Sequence, residues 1–347
     1  MEVRSNRRTF LLLGAAGGVL GWATFAGGQS FPTKPLRWIL GVPAGGGLDI
    51  QARILAETMT QTLGEPVIVD NRPGASGAIA AMAVAQSPPD GHTLITFNVG
   101  DYAWYPYVSA KPTYNPVKDF DMIAMLTDVP FIMMSTAKIP VNDAKEFVDY
   151  VKTLPPGSIN YSSGGTNSYQ HLMMELFSQQ AGIKMTHIPY RGGSQALTDL
   201  VAGQNHVQFT VGANAAPFVK TGQLKALGIA LPERLEAFHE IPTLVEQGYK
   251  IDVPAWAALA TTAGTPPAII ERLNAAVMDA IKAPAFVNKM REVGVMIRGS
   301  TSQEATRYCH EQIVEWGATL KKLNIKSEYY GAVYGAVIEK YIAFFPP

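Results

Sequence analysis

Gly45, Gly46 and Gly47 end the apolar run Leu36–Val42 and stand immediately before a helical pattern. Glycines let a backbone turn sharply and present its N–H groups outward. The start of a helix adds N–H groups without intrahelical partners and a partial positive charge. Strand, glycine loop and helix start together make a seat for an anion. The loop lacks the G-x-G-x-x-G spacing, and no G-x-x-x-x-G-K-[ST] occurs in the chain, so nothing points to a nucleotide phosphate. Asp49 falls in the first helical turn, where the dipole favours an acid.

A second loop, Ser162–Ser168, also follows a strand and precedes a helical stretch, Tyr169–Ala181. The hydroxyls of Ser163, Thr166 and Ser168, with the backbone N–H groups around Gly164 and Gly165, can hold a carboxylate by neutral hydrogen bonds. Helix capping explains Ser168 alone but not the company it keeps. Arg191 ends a further strand and can pair with an anion. His171 lies just inside the second helix, where packing is the commoner role. The other histidines are scattered, without metal-ligand spacing, and no cofactor is implied. Ser76 sits in another strand-to-helix turn, but no partner base is identifiable and G-x-S-x-G is absent. Tyr102, Trp104, Tyr105 and Tyr107 crowd a loop-like segment that either walls a cleft or covers the core.

The elements around these loops alternate. Strand-like runs cover Leu36–Val42, Pro66–Val69, Thr93–Phe97, Met122–Leu126, Phe131–Ser135, Ile159–Ser162, Met185–Tyr190, Val207–Val211 and Leu224–Ala230. Ile50, Ile54, Met59 and Leu63 repeat at helical spacing, and Gly64 stops them. Ile269, Leu273, Val277 and Ile281 do the same, with Thr265 placed to cap and Pro266 placed to open the helix. Alternation of this kind predicts α/β layers with mostly parallel strands. The chain is expected to cross between two lobes by extended segments near 127–131 and 249–255.

Hydrophobic residues make up 47% of the 347 residues and charged ones 16%, which supports a substantial core and excludes general disorder. Basic and acidic residues are equal at 28 each, so no electrostatic case for nucleic acid exists. Arg7 and Arg8 precede a Gly/Ala-rich apolar run from Phe10 to Ala26, the pattern of a twin-arginine export signal spanning 1–30. The run is short and glycine-rich for a permanent span. Thr24–Ala26 supplies a small-x-small cleavage site. Cys309 is the only cysteine, so no internal disulfide forms. Residues 328–347 form an aromatic tail of unassigned role.

Taken together, the two loops resemble those of the Bug family of tripartite-tricarboxylate-type extracytoplasmic solute receptors, over about Phe31 to Ile325. The resemblance also rests on Val69–Gly77, Pro89–Leu94, His171–Leu172, His187–Gly192, Ala196–Leu200 and Pro242–Gly248. It implies an α/β type II periplasmic-binding-protein fold, two lobes closing on a small carboxylated solute. Lobe 1 would be 31–128 plus 252–327, and lobe 2 would be 129–251. By the same resemblance Val42, Ala44, Gly45, Gly46 and Asp49 face the ligand from one side, and Ser163, Gly165, Asn167 and Ser168 from the other, with Arg191 nearby. No chemistry on the ligand is implied.

The chain departs from the family pattern at Gly41, Val42 and Leu48, where proline, an aromatic and a polar residue are usual. Ser162 and Asn167 stand at frequent glycine positions, and Thr210–Gly212 lacks the common acidic residue. These departures predict a more apolar pocket. The resulting expectation is a monomeric periplasmic receptor for a small organic carboxylate, serving the membrane permease of a tripartite tricarboxylate-type transporter. Its rivals are a sensor partner of the same fold, a binder of neutral or aromatic ligands, and an exported hydrolase using Ser76 or Ser163. No base–nucleophile constellation is visible for that hydrolase.

Overall fold

The structure is a computed structural model. It describes residues 31–322 except 110, 167, 191, 236, 237 and 252–254, so the proposed export signal and the aromatic tail lie outside the described residues. Strands β1 (Leu36–Leu40), β2 (Val67–Asn71), β3 (Thr93–Asn98), β4 (Phe120–Val129), β10 (Ala255–Thr262) and β11 (Met296–Ile297) form one sheet. Strands β5 (Phe131–Thr136), β6 (Asn160–Ser163), β7 (Thr186–Pro189), β8 (Val207–Val211) and β9 (Leu224–Ile229) form the second. The helices are α1 (Gly47–Leu63), α2 (Ala78–Ala85), α3 (Tyr105–Val108), α4 (Ala144–Lys152), α5 (Tyr169–Ala181), α6 (Gly193–Ala202), α7 (Gly212–Lys220), α8 (Pro267–Ala280), α9 (Pro284–Glu292) and α10 (Ser302–Lys322).

The two sheets repeat one plan. The first runs β11-β4-β10-β3-β1-β2 and the second β7-β6-β8-β5-β9. In each, three strands lie parallel, with the earliest in the middle: β2-β1-β3 and β7-β6-β8. In each, the next strand runs antiparallel to them, and it is the strand by which the chain arrives from the other sheet: β10 in the first and β5 in the second. Only Pro130 separates β4 from β5, so that crossing is nearly continuous extended chain.

Both faces of the first sheet are covered. Leu36, Trp38 and Leu40 of β1 pack with α1 and α8 residues on one side, while Ile39 packs into the core on the other. Two-sided burial turns strands into near-continuous apolar runs. Strand β10 was missed from sequence for this reason: Ala255–Thr262 is alanine-rich and carries little β-branched signal, and its place is set by neighbours on both faces. It also makes the first sheet mixed, as β5 does the second, where mostly parallel strands were expected.

Most element ends are local. Gly64, at φ 80°, terminates α1 in the left-handed conformation. Thr265 does not cap α8: its hydroxyl donates to the Thr262 carbonyl, and Pro267 takes the first helical position behind Pro266. The aromatic segment after β3 is helical, not a loop, with π-helical hydrogen bonding over Gly100–Trp104 continuing into α3. Its rings are buried, and the Tyr107 hydroxyl donates to the Ile313 carbonyl of α10 at 2.7 Å. Among the described residues no helix is long and apolar enough to cross a membrane.

Candidate functional site

The loop between β1 and α1 is exposed from Pro43 to Gly47 but pinned from below. Asp49, 2% exposed, accepts from the Gly45 N–H at 2.9 Å and from Arg53 Nε at 3.0 Å on one carboxylate oxygen. Its other oxygen accepts from Asn71 Nδ2 at 2.9 Å and lies 3.0 Å from Arg53 Nη2. Asn71, at the end of β2, also donates to the Val42 carbonyl, and Arg53 closes the ring onto Asn71 Oδ1. The Arg53 hydrogen bond, helped by those from Gly45 and Asn71, outweighs burial and holds the Asp49 pKa down to about 2. Arg53 also offsets the acid's charge beside the positive end of α1.

Two glycines are required here. Gly45 has φ 82°, which suits the turn that aims its N–H at Asp49. Gly41 has no room for a side chain, because a Cβ there would meet Gly77 Cα at 2.8 Å. The side chains of Val42 and Leu48 are half-buried against the first sheet's core.

The loop between β6 and α5 is stitched as tightly. Ser163, fully buried, donates to the Gly165 carbonyl (3.0 Å) and accepts from the Gly165 N–H (3.2 Å). Its Oγ also lies 2.7 Å from His187 Nε2. The Ser163–His187 contact runs in either direction with the imidazole tautomer, and in both it braces the loop. Ser162 is engaged with Asn205 and Gln208. Ser168 caps α5, accepting from the His171 N–H at 3.4 Å. Gly164 abuts Gly192 and Gly193, and Gly165 approaches the Tyr190 carbonyl, so the β7–α6 turn supports the loop.

Behind Ser163, the rings of Tyr161, His187 and His171 form a stack, with centroids 4.8 Å and 4.1 Å apart. Tyr161 donates to Glu175 of α5. Burial, with the neighbouring His171, pushes the His187 pKa down to about 4, and burial lowers that of His171. Burial raises the Tyr161 pKa. The expectation that Ser163 has no partner base is therefore corrected: His187 is at hydrogen-bond distance. The pair was legible in principle, because Tyr161 faces His187 in register on adjacent parallel strands, which puts Ser163 and His187 on one sheet face.

Asn167 and Arg191 lie outside the described residues. Ala44, Gly45 and Gly46 are exposed at the start of α1, and Gly165 and Ser168 line the start of α5. Sequence reasoning did not select Asn71 or His187 as site-forming residues. Among the described residues no group of three or more His, Cys, Asp or Glu is placed to hold a metal ion.

Two sheets of one strand order, each ending a central parallel strand in a small-residue loop and a helix start, define the periplasmic-binding-protein fold. The family model of tripartite tricarboxylate transporter family receptors matches residues 51–325, and the chain belongs to that family. It is 32% identical over 307 residues to a UPF0065 protein of Bordetella pertussis, covering 88% of this chain and 94% of the relative. Rpa4515 of Rhodopseudomonas palustris, solved with adipate, superposes with a TM-score of 0.76 at 28% identity, covering 85% of this chain and 99% of that one. MatC (Rpa3494) of the same organism, solved with bound malate, gives 0.72 at 31% identity, covering 84% and 100%. The family is one of solute-binding receptors, not enzymes.

Proposed function

We propose that the chain is a periplasmic receptor that captures a small organic carboxylate and delivers it to the membrane permease of a tripartite tricarboxylate-type transporter. One observation carries the reading. Two rigid loops, each at the end of a central parallel strand, each open a helix whose first N–H groups have no intrahelical partner. The starts of α1 and α5 would then hold the carboxylate between them by charge-assisted hydrogen bonds. Ala44, Gly45 and Gly46 contribute backbone on the first side, with Asp49 as the residue that positions them. Gly165, Asn167 and Ser168 contribute on the second, with Ser163 as brace, and Val42 and Arg191 flank the solute.

Lobes 31–128 plus 252–327 and 129–251 would close on the ligand by bending at the β4–β5 crossing and where the chain returns ahead of β10. The protein would act as a monomer, exported by a twin-arginine signal within 1–30. The adipate and malate held by the two Rhodopseudomonas relatives favour a carboxylate as the solute. A thermal-shift screen of carboxylates, amides and amino acids tests this. A carboxylate at 100 times its Kd adds about 2.7 kcal/mol of stability. If only uncharged compounds raise Tm, the proposal fails.

A further inference from the structure

The two loops are joined by a chain of close contacts. Gly41 lies against Gly77, whose Cβ position would be 3.0 Å from the Asp101 side chain. Asp101 belongs to the π-helical segment Gly100–Trp104 that follows β3. Trp104, at the end of that segment, stacks on Tyr169, with centroids 5.4 Å apart and planes 15° from parallel. Tyr169 is the first residue of α5, immediately after the Ser168 cap. Trp104 is therefore placed where the first sheet's side of the site meets the serine loop. π-Helical turns are frequent at functional sites.

Trp104 also differs from the other described tryptophans. Trp38 donates its indole N–H to Thr96 Oγ1 at 2.8 Å, and Trp256 and Trp316 both donate to Gln312 Oε1 at 3.3 Å. Trp104 is 2% exposed, yet its Nε1 has no hydrogen-bond partner among the described residues. A buried donor left unmade is costly and calls for an acceptor. The ring is flanked by Tyr169 in parallel and by Trp316, 4.8 Å away at 66°, and neither ring offers the in-plane N–H an oxygen or nitrogen acceptor. The acid of the same segment, Asp101, takes hydrogen bonds from the Asn98 N–H and side-chain amide, and burial pushes its pKa up to about 8.

We infer that the Trp104 indole N–H is a specificity-determining donor that receives a second acceptor group of the ligand, remote from the carboxylate held at the helix starts. An indole is a donor only, so it selects an acceptor such as a second carboxylate over a methyl or an ammonium. The ligand class is then a short acid with an acceptor at each end. The inference rests on the carboxylate-receptor reading.

The test uses the full chain, with two matched pairs of acids: adipate against hexanoate, and malate against 3-hydroxybutyrate. Titration calorimetry is run on wild type and on Trp104→Phe, which keeps the ring and deletes the N–H. Wild type is expected to prefer the diacid of at least one pair by about tenfold or more. In Trp104→Phe that preference falls to within about threefold, while affinity for the monoacid is retained. In ¹⁵N-labelled wild type the Trp104 indole resonance, assigned by its loss in the variant, moves most on adding the preferred diacid. A preference that survives unchanged in Trp104→Phe, or an indole resonance that does not move, overturns the Trp104 assignment and leaves the receptor reading standing. If no carboxylate, these four included, raises Tm in the thermal-shift screen, the receptor reading fails and takes this inference with it.

Discussion

Asp49→Asn tests whether the glycine loop is held by an ionised carboxylate. The Asp49 pKa falls from 3.8 to about 2 through its hydrogen bonds from Arg53, Gly45 and Asn71. A shift of that size corresponds to about 2 kcal/mol of preference for the ionised form in the folded protein. Arg53 is half-exposed, so screening reduces the part that reaches stability to about 1–2 kcal/mol. Asparagine keeps one acceptor but turns its amide hydrogens toward Arg53 or Gly45, and at least one buried hydrogen bond is lost. A group with a depressed folded pKa stabilises fully above its unfolded value, and that stability is lost as pH falls through the folded one. Urea unfolding is therefore expected to show the variant less stable by about 1–2 kcal/mol at pH 7, a Tm drop of roughly 2–6 °C. The gap is expected to narrow between pH 4 and pH 2. Equal stability at pH 7, or a gap that does not change with pH, refutes the loop lock.

Ser168→Ala removes the α5 cap and is expected to weaken carboxylate binding by ~1 kcal/mol, read by calorimetry as a roughly fivefold rise in Kd; unchanged affinity removes Ser168 from the site. Gly41→Ala drives a methyl group onto the Gly77 backbone, which cannot move aside like a flexible side chain. Its expected result is a lower Tm with weaker binding, and a Tm equal to wild type contradicts the close approach. His187 carries a folded pKa of about 4, below its unfolded value, so the stability linked to it is present above pH 6.5 and lost as pH falls toward 4. His187→Phe keeps the ring stack without the proton site, so its stability deficit against wild type should shrink over that window; a constant deficit rules out a neutral, half-buried His187.

How far the sequence could be read depended on whether the signal was local. Gly64 ending α1 and Ser168 opening α5 follow from backbone chemistry within a few residues. The two loops were visible because glycine and serine clusters between a strand and a helix are themselves local patterns. Strand β10 was not, since an alanine-rich segment becomes a strand only when β3 and β4 flank it. The Asp49–Asn71 bond spans 22 residues and the Ser163–His187 contact 24, so neither shows in any window along the chain. Strand register, which sets Tyr161 opposite His187, could have put Ser163 and His187 on one sheet face. Nothing in the sequence shows that Trp104 lacks an acceptor while Trp38, Trp256 and Trp316 have one.

The most direct test of the central claim is calorimetric titration of the wild-type protein with adipate and malate beside their diamides, which keep the shape and remove the charge. Two helix starts facing one anion predict that at least one acid binds and that its diamide binds at least tenfold more weakly. Equal binding of acid and amide, or binding of the amides alone, would contradict a carboxylate seated on α1 and α5.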